Sequence, residues 1–287
     1  MSLPDLDPVL ARPSAPAKGS RNTELLIGGW IVAIVAVVGI LAPLIAPYNP
    51  LLPVGPPLQG PSEDHLFGTD RYGLDILSRL LYAPRVDLLI AGWGTLLAAL
   101  IGVPLGAVSG YAPGAVGGLI SRSLDIVQAF PFFILALFML GIMGPSLPNI
   151  VLVLAVINAP IYARLMRSQT LMLKNRTFID AARVSGCGSG IILFRHILPN
   201  SLGPILAQMS VTLGLSIIMI AGVSFVGAGV RTPTPEWGVM IGDGAGGMFT
   251  GQWWPVIFPG IALAVTVVAF ALVANGVTRA MNPESRR

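Results

Sequence analysis

The residues that could carry acid–base, nucleophilic or metal chemistry are few in this chain and far apart. It has two histidines, His65 and His196, and a single cysteine, Cys187. A catalytic triad or a metal site needs several such groups side by side, and one cysteine cannot form a disulfide within the chain. We therefore predict no catalytic residue and no metal site, and we expect each histidine to be an ordinary surface or interface residue.

The two lysines exclude a phosphate-binding loop. Such a loop needs Gly-Lys followed by Ser or Thr, because the lysine and the hydroxyl reach the phosphates and their magnesium ion. Lys18 follows Ala17 and Lys174 follows Leu173, so neither lysine is preceded by glycine. If the chain takes part in an energised process, the energy enters through another protein.

One charged stretch, residues 177–200, could provide a contact surface for such a partner. Thr177 and Asp180 predict a helix N-terminus, with a hydroxyl cap and an acid in the first turn. Asp180 can pair with Arg183, and the glycines that begin at Gly186 predict the end of this short helix. The face predicted to be exposed combines one aromatic side chain with small ones that permit close approach: Phe178, Ala181, Ala182, Ser185 and Gly186.

The composition is that of a membrane protein. Hydrophobic residues make up 54% of the chain and charged residues only 10%, and the mean hydropathy is +0.79. Soluble domains carry roughly 25% charged residues. Five intervals without a charged residue are each longer than the about 20 residues that span a bilayer: 25–47, 88–121, 126–163, 197–230 and 244–278.

The third interval is long enough for two spans. Four residues in its middle predict a turn between them: Gly141, Gly144, Pro145 and Pro148. We therefore predict an all-α polytopic membrane protein with six transmembrane helices. Its predicted parts are a disordered cytoplasmic tail (1–24), a first transmembrane helix (25–46), an external loop with an amphipathic helix (47–85), a five-helix core (86–278) and a cytoplasmic tail (279–287). The core includes a cytoplasmic loop (169–199).

Positive residues predict the orientation. With the N-terminus inside, only Arg71, Arg79, Arg85 and Arg231 lie outside, and the other thirteen of the 17 lysines and arginines lie inside. Both termini and residues 177–200 are then cytoplasmic. The pI of about 9.6 follows from this topology and does not indicate nucleic-acid binding.

An external amphipathic helix is predicted over residues 74–82. Leu74, Leu77 and Leu81 form one apolar stripe, and Asp75 can pair with Arg79. We expect this helix to lie flat on the outer face of the membrane, separate from the second span.

The second predicted span carries glycines at four-residue intervals, Gly102, Gly106 and Gly110. Such spacing lets another helix approach the backbone closely. The sequence favours contact within the chain and leaves contact between subunits as the alternative.

The fifth predicted span contains a polar stripe. Gln208, Thr212, Ser216 and Met219 lie within a narrow sector of the helix. They are our candidates for lining a translocation path, and hydrogen bonding between helices is the alternative.

Three motifs resemble those of a known family. Residues 180–182, Gly186 and residues 197–199 resemble the EAA loop of permease subunits in binding-protein-dependent ABC importers. Residues 65–79 and 235–238 resemble the second permease of the dipeptide, oligopeptide and nickel group. Asp180 stands where the family usually has Glu, and Asp87 where it commonly has Ser.

The resemblance implies a type I ABC importer permease fold with a cytoplasmic EAA coupling helix, in the bacterial inner membrane. It implies a non-catalytic subunit without a cofactor. Its partners would be a homologous second permease, two cytoplasmic ABC ATPases that bind ATP and magnesium, an extracytoplasmic solute-binding protein and the lipid bilayer. The residues implied in ATPase coupling are Phe178, Asp180, Ala181, Ala182, Arg183, Gly186, Ile197, Leu198 and Pro199. The candidates for contact with the binding protein are Asp70, Arg71, Asp75, Arg79, Pro235, Glu236 and Trp237.

Dipeptides or oligopeptides are the expected cargo, and nickel chelates, opines and glycosides are the alternatives within this importer class. An ion-coupled secondary transporter is less favoured, because the centres of the predicted spans carry no ionisable residue. A membrane-embedded enzyme would need a nucleophile with a base beside it, and the sequence offers no such pair.

Overall fold

The computed structural model describes residues 23–112 and 114–281, which are almost entirely helical. In chain order the helices are α1 (Thr23–Ile45), α2 (Ile76–Tyr111), α3 (Ala115–Ala129), α4 (Phe132–Met143), α5 (Leu147–Leu173), α6 (Thr177–Val184), α7 (Ser189–Phe225), α8 (Trp237–Gly244) and α9 (Trp254–Met281). Helix α7 passes through a π-helical stretch, Ile192–Ile197, and a 3₁₀ stretch, Ala245–Thr250, follows α8.

The boundaries of these helices differ modestly from the predicted ones. The first helix begins at Thr23, and the rest of the predicted N-terminal tail lies outside the described residues. Helix α9 continues into the predicted C-terminal tail, of which residues 282–287 lie outside the described residues. Helices α5 and α7 both extend into the predicted cytoplasmic loop, so the segment between them is shorter than expected.

Within residues 23–112 and 114–281, five helices are long and apolar enough to cross a membrane: α1, α2, α5, α7 and α9. Helices α3 and α4 pass the same test only together, and they are bent by 88° at Phe130 and Pro131. Proline lacks a backbone donor and holds the preceding residue in an extended conformation, and Phe130 has ψ 139°. The six predicted spans thus correspond to five long helices and one bent pair, α3 and α4. The sequence predicts the third span over residues 120–140 with Pro131 able to bend it, and the break lies at that proline.

Helix α2 begins earlier than predicted. The flat amphipathic helix and the second span are one continuous helix, Ile76–Tyr111. Leu74 and Ile76 are buried, at 2% and 0% exposure. The prediction of a separate surface helix is wrong because burial inside a protein and binding to a membrane surface both produce an apolar stripe. At about 1.5 Å per residue α2 is ~54 Å long, so its two ends lie on opposite sides of the molecule.

The backbones of α2 and α5 lie very close together. A Cβ atom added to Gly102 would lie 2.2 Å from the carbonyl oxygen of Ala159, and one added to Gly106 would lie 2.1 Å from that of Ala163. Only glycine permits this separation. The glycine stripe therefore serves contact within the chain, which is the favoured one of its two predicted roles.

Two clusters of buried apolar side chains hold the helices together. The larger one joins α2, α5, α7 and α8 through residues such as Ile90, Leu154, Ile217 and Trp237. The smaller one lies towards the C-terminal end of α2 and joins α5, α6 and α7. Outside them, α1 exposes large apolar side chains, including Trp30 at 68% and Leu44 at 82%, as expected for a helix that faces lipid.

Candidate functional site

Helix α6, the candidate coupling helix, begins one residue away from the predicted cap. Thr177 is its first helical residue, and the cap position is Arg176, which makes no side-chain capping bond. The predicted hydroxyl cap is therefore wrong. Asp180 does lie in the first turn, where the helix dipole favours an acid.

Gly186 ends α6 in the left-handed conformation, with φ 81°. The N–H of Gly186 donates to the Arg183 carbonyl at 3.0 Å, and that of Cys187 donates to the Ala182 carbonyl at 3.0 Å. This pair of bonds is a Schellman motif, which satisfies carbonyl groups left open at a helix end. The glycine thus sets both the length of α6 and the direction in which the chain leaves it.

One face of α6 is anchored in the protein and the other is exposed. Ile179 and Ala182 are buried, at 0% and 8% exposure, and they join Ile197 in the smaller apolar cluster. The prediction that Ala182 lies on the exposed face is therefore wrong. Phe178 is 41% exposed and Val184 is 91% exposed, so α6 presents two apolar side chains to its surroundings.

Val184 is the residue of this surface that the sequence analysis missed. The predicted face was chosen for small residues, although the helical spacing from Phe178 and Ala181 could have included it. The other predicted coupling residues divide by exposure: Asp180, Ala181, Arg183, Gly186 and Pro199 are exposed, Leu198 is half-buried and Ile197 is buried.

Polar contacts tie α6 to the end of α2. Arg183 donates to the carboxylate of Asp180 at 2.9 Å and to the carbonyl of Lys174 at 3.3 Å. Lys174 in turn donates through Nζ to the carbonyl of Gly110 near the C-terminus of α2, at 3.0 Å. These bonds and the apolar cluster attach α6 to two of the long helices.

The opposite end of α2 carries a buried group of charged residues, which we call the acid–arginine cluster: His65, Asp70, Asp75 and Arg79. Asp70 and Arg79 form an ion pair and are 5% and 0% exposed. Asp75 caps α2 by accepting from the N–H and the hydroxyl of Ser78, at 2.8 and 2.7 Å. The carboxylates thus fix the loop that leads into α2.

His65 belongs to the same cluster and is not the surface residue that was expected. It is 4% exposed, and its Nδ1 lies 2.9 Å from Oδ1 of Asp75. Among residues 23–112 and 114–281, no three His, Cys, Asp or Glu side chains lie close enough to hold a metal ion.

Glu236 is a further buried acid at this end of the molecule, in addition to Asp70 and Asp75. It caps α8 by accepting from the N–H groups of Gly238 and Val239 at 2.8 and 2.7 Å. Its side chain meets that of Asp87 from α2, and Asp87 also accepts from the N–H of Trp237 at 3.3 Å. Burial raises the pKa of Glu236 above its ordinary value, and the capping bonds oppose this rise only in part.

These positions change the expectation for the binding-protein contact. Asp70, Asp75, Arg79, Pro235, Glu236 and Trp237 are all buried within this chain, so they brace the loops and do not form the outer surface. Arg71 is the exception, since 48% of its side chain is exposed where it pairs with Asp243 at 2.6 Å. A motif match identifies such residues but carries no information on burial.

The polar stripe on α7 divides into two parts. Gln208 donates to the hydroxyl of Thr212 within the helix, at 3.3 Å. Ser216 and Met219 instead line a cavity of about 680 Å³, which we call the break cavity, between the bend of α3 and α4 and the middle of α5 and α7. Ser216 and Met219, the second half of the predicted path, therefore reach a space that could hold a molecule.

Comparison with known proteins agrees with this architecture. Residues 102–287 match the family model described as binding-protein-dependent transport system inner membrane component. The chain belongs to this family. The family resemblance inferred from the motifs is confirmed, and the chain is a multi-pass inner-membrane permease.

Several characterised permeases are similar to it over most of their length. It is 37% identical over 271 residues to the dipeptide transport system permease protein DppC of Alkalihalophilus pseudofirmus, covering 93% of this chain and 88% of that protein. It is 39% identical over 274 residues to DppC of Escherichia coli K12, covering 93% and 91%. It is 38% identical over 226 residues to the glutathione transport system permease protein GsiD of Pectobacterium atrosepticum, covering 79% and 75%.

A solved structure shares the fold. A chain of the MetNI methionine ABC transporter, from a study of its inward-facing conformations, matches with a TM-score of 0.59 at 20% identity. The match covers 72% of this permease and 98% of that chain. The predicted all-helical ABC permease fold is confirmed, whereas the coupling role of α6 stays a prediction.

Proposed function

We propose that this permease is the membrane subunit through which an ABC importer moves dipeptides or short oligopeptides into the cell. A solute-binding protein delivers the peptide on the outer side, a homologous second permease completes the path, and two cytoplasmic ATPases drive transport with ATP and magnesium. The observation that carries the proposal is α6, a surface helix that is packed against the protein on one side and exposes two apolar side chains, Phe178 and Val184, on the other.

The geometry of α6 suits the transmission of force. Ile179 and Ala182 fix the helix to the long spans, while Phe178 and Val184 remain free to enter a groove on a partner. Exposed apolar side chains in a polar setting are typical of protein contact sites. Because the chain has no phosphate-binding loop, the partner in that contact supplies the energy.

The peptide cargo is supported by the relatives, of which two are named as dipeptide permeases and one as a glutathione permease. Glutathione is itself a small peptide. Identifying by mass spectrometry what the partner binding protein retains in the purified importer tests this part of the proposal. Recovery of nickel chelates, opines or glycosides in place of peptides would overturn it.

The role of α6 is tested by Gly186→Glu, with Gly186→Asn as the matched control. Glutamate adds a charge and a side chain where the backbone has φ 81°, whereas asparagine tolerates that conformation. We expect Gly186→Glu to insert normally but to lose dipeptide uptake and dipeptide-stimulated ATP hydrolysis, while Gly186→Asn keeps most of both. Normal uptake by Gly186→Glu would exclude α6 as the coupling element.

An ion-coupled mechanism predicts a different result with the unaltered permease. In that case uptake would continue in cells depleted of ATP and collapse when an uncoupler removes the ion gradient. The ABC mechanism requires the reverse, with uptake lost on ATP depletion.

A further inference from the structure

The break cavity lies where two half-helices meet. Helix α3 ends at Ala129 and α4 starts at Phe132, and the residues between them line the cavity. Helix ends leave backbone N–H and carbonyl groups without intrahelical partners. At membrane depth such groups are tolerated where protein covers them or where they line a cavity that water can enter, so the bend favours an accessible cavity.

Ser216 is one of the residues that line this cavity, and its buried hydroxyl makes no hydrogen bond within the described residues. The residue is 1% exposed. Several hydroxyls in the long helices bond back to their own backbone, as Ser201 does to Ile197 at 2.9 Å and Thr266 to Ala262 at 2.8 Å. Thr95 in α2 shares the unpartnered state of Ser216 but does not line the break cavity. A buried hydroxyl that forgoes this bond is available to a bound molecule.

Asn158 supplies a second polar group to the same cavity from α5. It is 8% exposed, and its Nδ2 donates to the carbonyl of Leu154 at 3.0 Å. Its Oδ1 accepts no hydrogen bond from the described residues, so it can accept one from a ligand. Ser216 can donate or accept, and the two side chains together match the N–H and carbonyl groups of a peptide.

The rest of the cavity wall is mainly apolar, with Phe132, Leu135, Ile157 and Met219 among its lining residues, and none of the lining residues is charged. Its volume lies within the roughly 300–1,000 Å³ of pockets that hold small ligands. Without an ionic partner the site holds a peptide weakly, as passage requires. A wall of this kind favours peptides with apolar side chains.

We infer that the break cavity is the point at which this subunit holds the peptide in transit, with Ser216 and Asn158 bonded to the peptide main chain and the apolar wall against its side chain. This inference rests on the proposed function. It adds that the permease itself discriminates between peptides, independently of the binding protein.

The test uses the complete importer in proteoliposomes, with Leu-Leu and Gly-Gly as probes and three variants of this permease. Ser216→Leu fills the cavity and Ser216→Ala removes only the hydroxyl. Ser210→Ala is the control, because Ser210 lies on the same helix outside the cavity and bonds to its own backbone at 3.3 Å.

For Ser216→Leu we expect uptake of Leu-Leu to fall more than that of Gly-Gly, by about tenfold, the change in binding that corresponds to ~1.4 kcal/mol. For Ser216→Ala we expect both peptides to lose uptake by a smaller factor, with no loss of thermal stability. A hydroxyl that stabilised the fold through a hydrogen bond would lower the melting temperature when it is removed. Removing an unsatisfied buried hydroxyl does not weaken the fold, so a loss of uptake without a loss of stability points to contact with the peptide.

Different results would overturn the proposed peptide import and the proposed role of the break cavity. If the unaltered importer moves neither dipeptide, the proposed function is wrong. If it moves both and the Ser216 variants match Ser210→Ala in rate and in peptide preference, the cavity is not the transit site. A loss that is equal for both peptides and accompanied by loss of the partner permease from the complex would assign the cavity to subunit contact instead.

Discussion

At the scale of single residues, the outer end of this permease buries more charge than its sequence suggests. Burying an arginine is costly unless an acid and further hydrogen bonds offset its lost hydration. Arg79 meets this condition only in part: it pairs with Asp70 and donates to the Pro233 carbonyl at 3.5 Å, but its Nε has no partner among the described residues. The Arg71 pair with Asp243 is partly exposed and contributes about 0–1 kcal/mol. The motifs singled out both arginines, but which one is buried depends on how the loops fold over α2, and no local pattern encodes that.

The buried acids Asp87 and Glu236 predict a dependence of stability on pH. The folded protein raises the pKa of Glu236 above its ordinary 4.5, so between 4.5 and the raised value the folded state binds more protons than the unfolded state. Its contribution to stability is therefore full below pH 4.5 and is lost as pH rises through the folded-state pKa. We expect the melting temperature of the purified importer to fall over this range.

Asp87→Asn should reduce that fall, because the hydrogen bond from Asp87 lowers the pKa of Glu236 only while the Asp87 carboxyl keeps its proton, whereas an amide donates at every pH. The control is Glu63→Gln, which alters an exposed acid and should leave the pH profile unchanged. Thermal unfolding at a series of pH values measures both. If the melting temperature changes with pH by the same amount in Asp87→Asn and in the unaltered protein, the two acids do not influence each other.

At the scale of helices, the sequence predicted the long elements and a bend at Pro131, but it did not predict how sharp that bend is. Pro84, Pro104 and Pro160 lie inside continuous helices, whereas Pro131 marks an 88° bend. A proline frees backbone groups in every case, but neighbouring helices decide whether those groups are satisfied in place or at a break. The break cavity therefore could not be predicted from the sequence, although Ser216 and Met219, which line it, were identified.

The contact between α2 and α5 predicts opposite effects of the same substitution at two glycines. Gly92→Ala, where an added Cβ meets nothing within 4 Å, should stabilise the helix by up to about 1 kcal/mol. Gly106→Ala would place a Cβ 2.1 Å from the Ala163 carbonyl oxygen, and overpacking of this kind costs about 1–3 kcal/mol or more. Thermal unfolding of the purified importer measures both changes, and equal melting temperatures would contradict the close approach of α2 and α5.

At the scale of the whole molecule, α2 links the acid–arginine cluster at one end to the helix α6 at the other. The acid–arginine cluster lies at its start and the attachment of α6 at its end, and α5 is held against it between them. The break cavity lies beside the middle of α5 and α7. A shift of α6 can therefore reach both the outer loops and the cavity through helices that are closely packed and little able to bend independently.

The proposed orientation of the permease across the membrane can be tested with the native cysteine. In the proposed orientation Cys187, beside α6, lies in the cytoplasm, and Phe249, which is 95% exposed beyond the far end of α7, lies outside. A membrane-impermeant maleimide applied to intact cells should not label the unaltered permease, and it should label it once SDS has dissolved the membrane. Phe249→Cys in a Cys187→Ser background should be labelled in intact cells. The reverse pattern would place α6 outside, where no cytoplasmic ATPase can reach it, and would remove the basis for the proposed coupling.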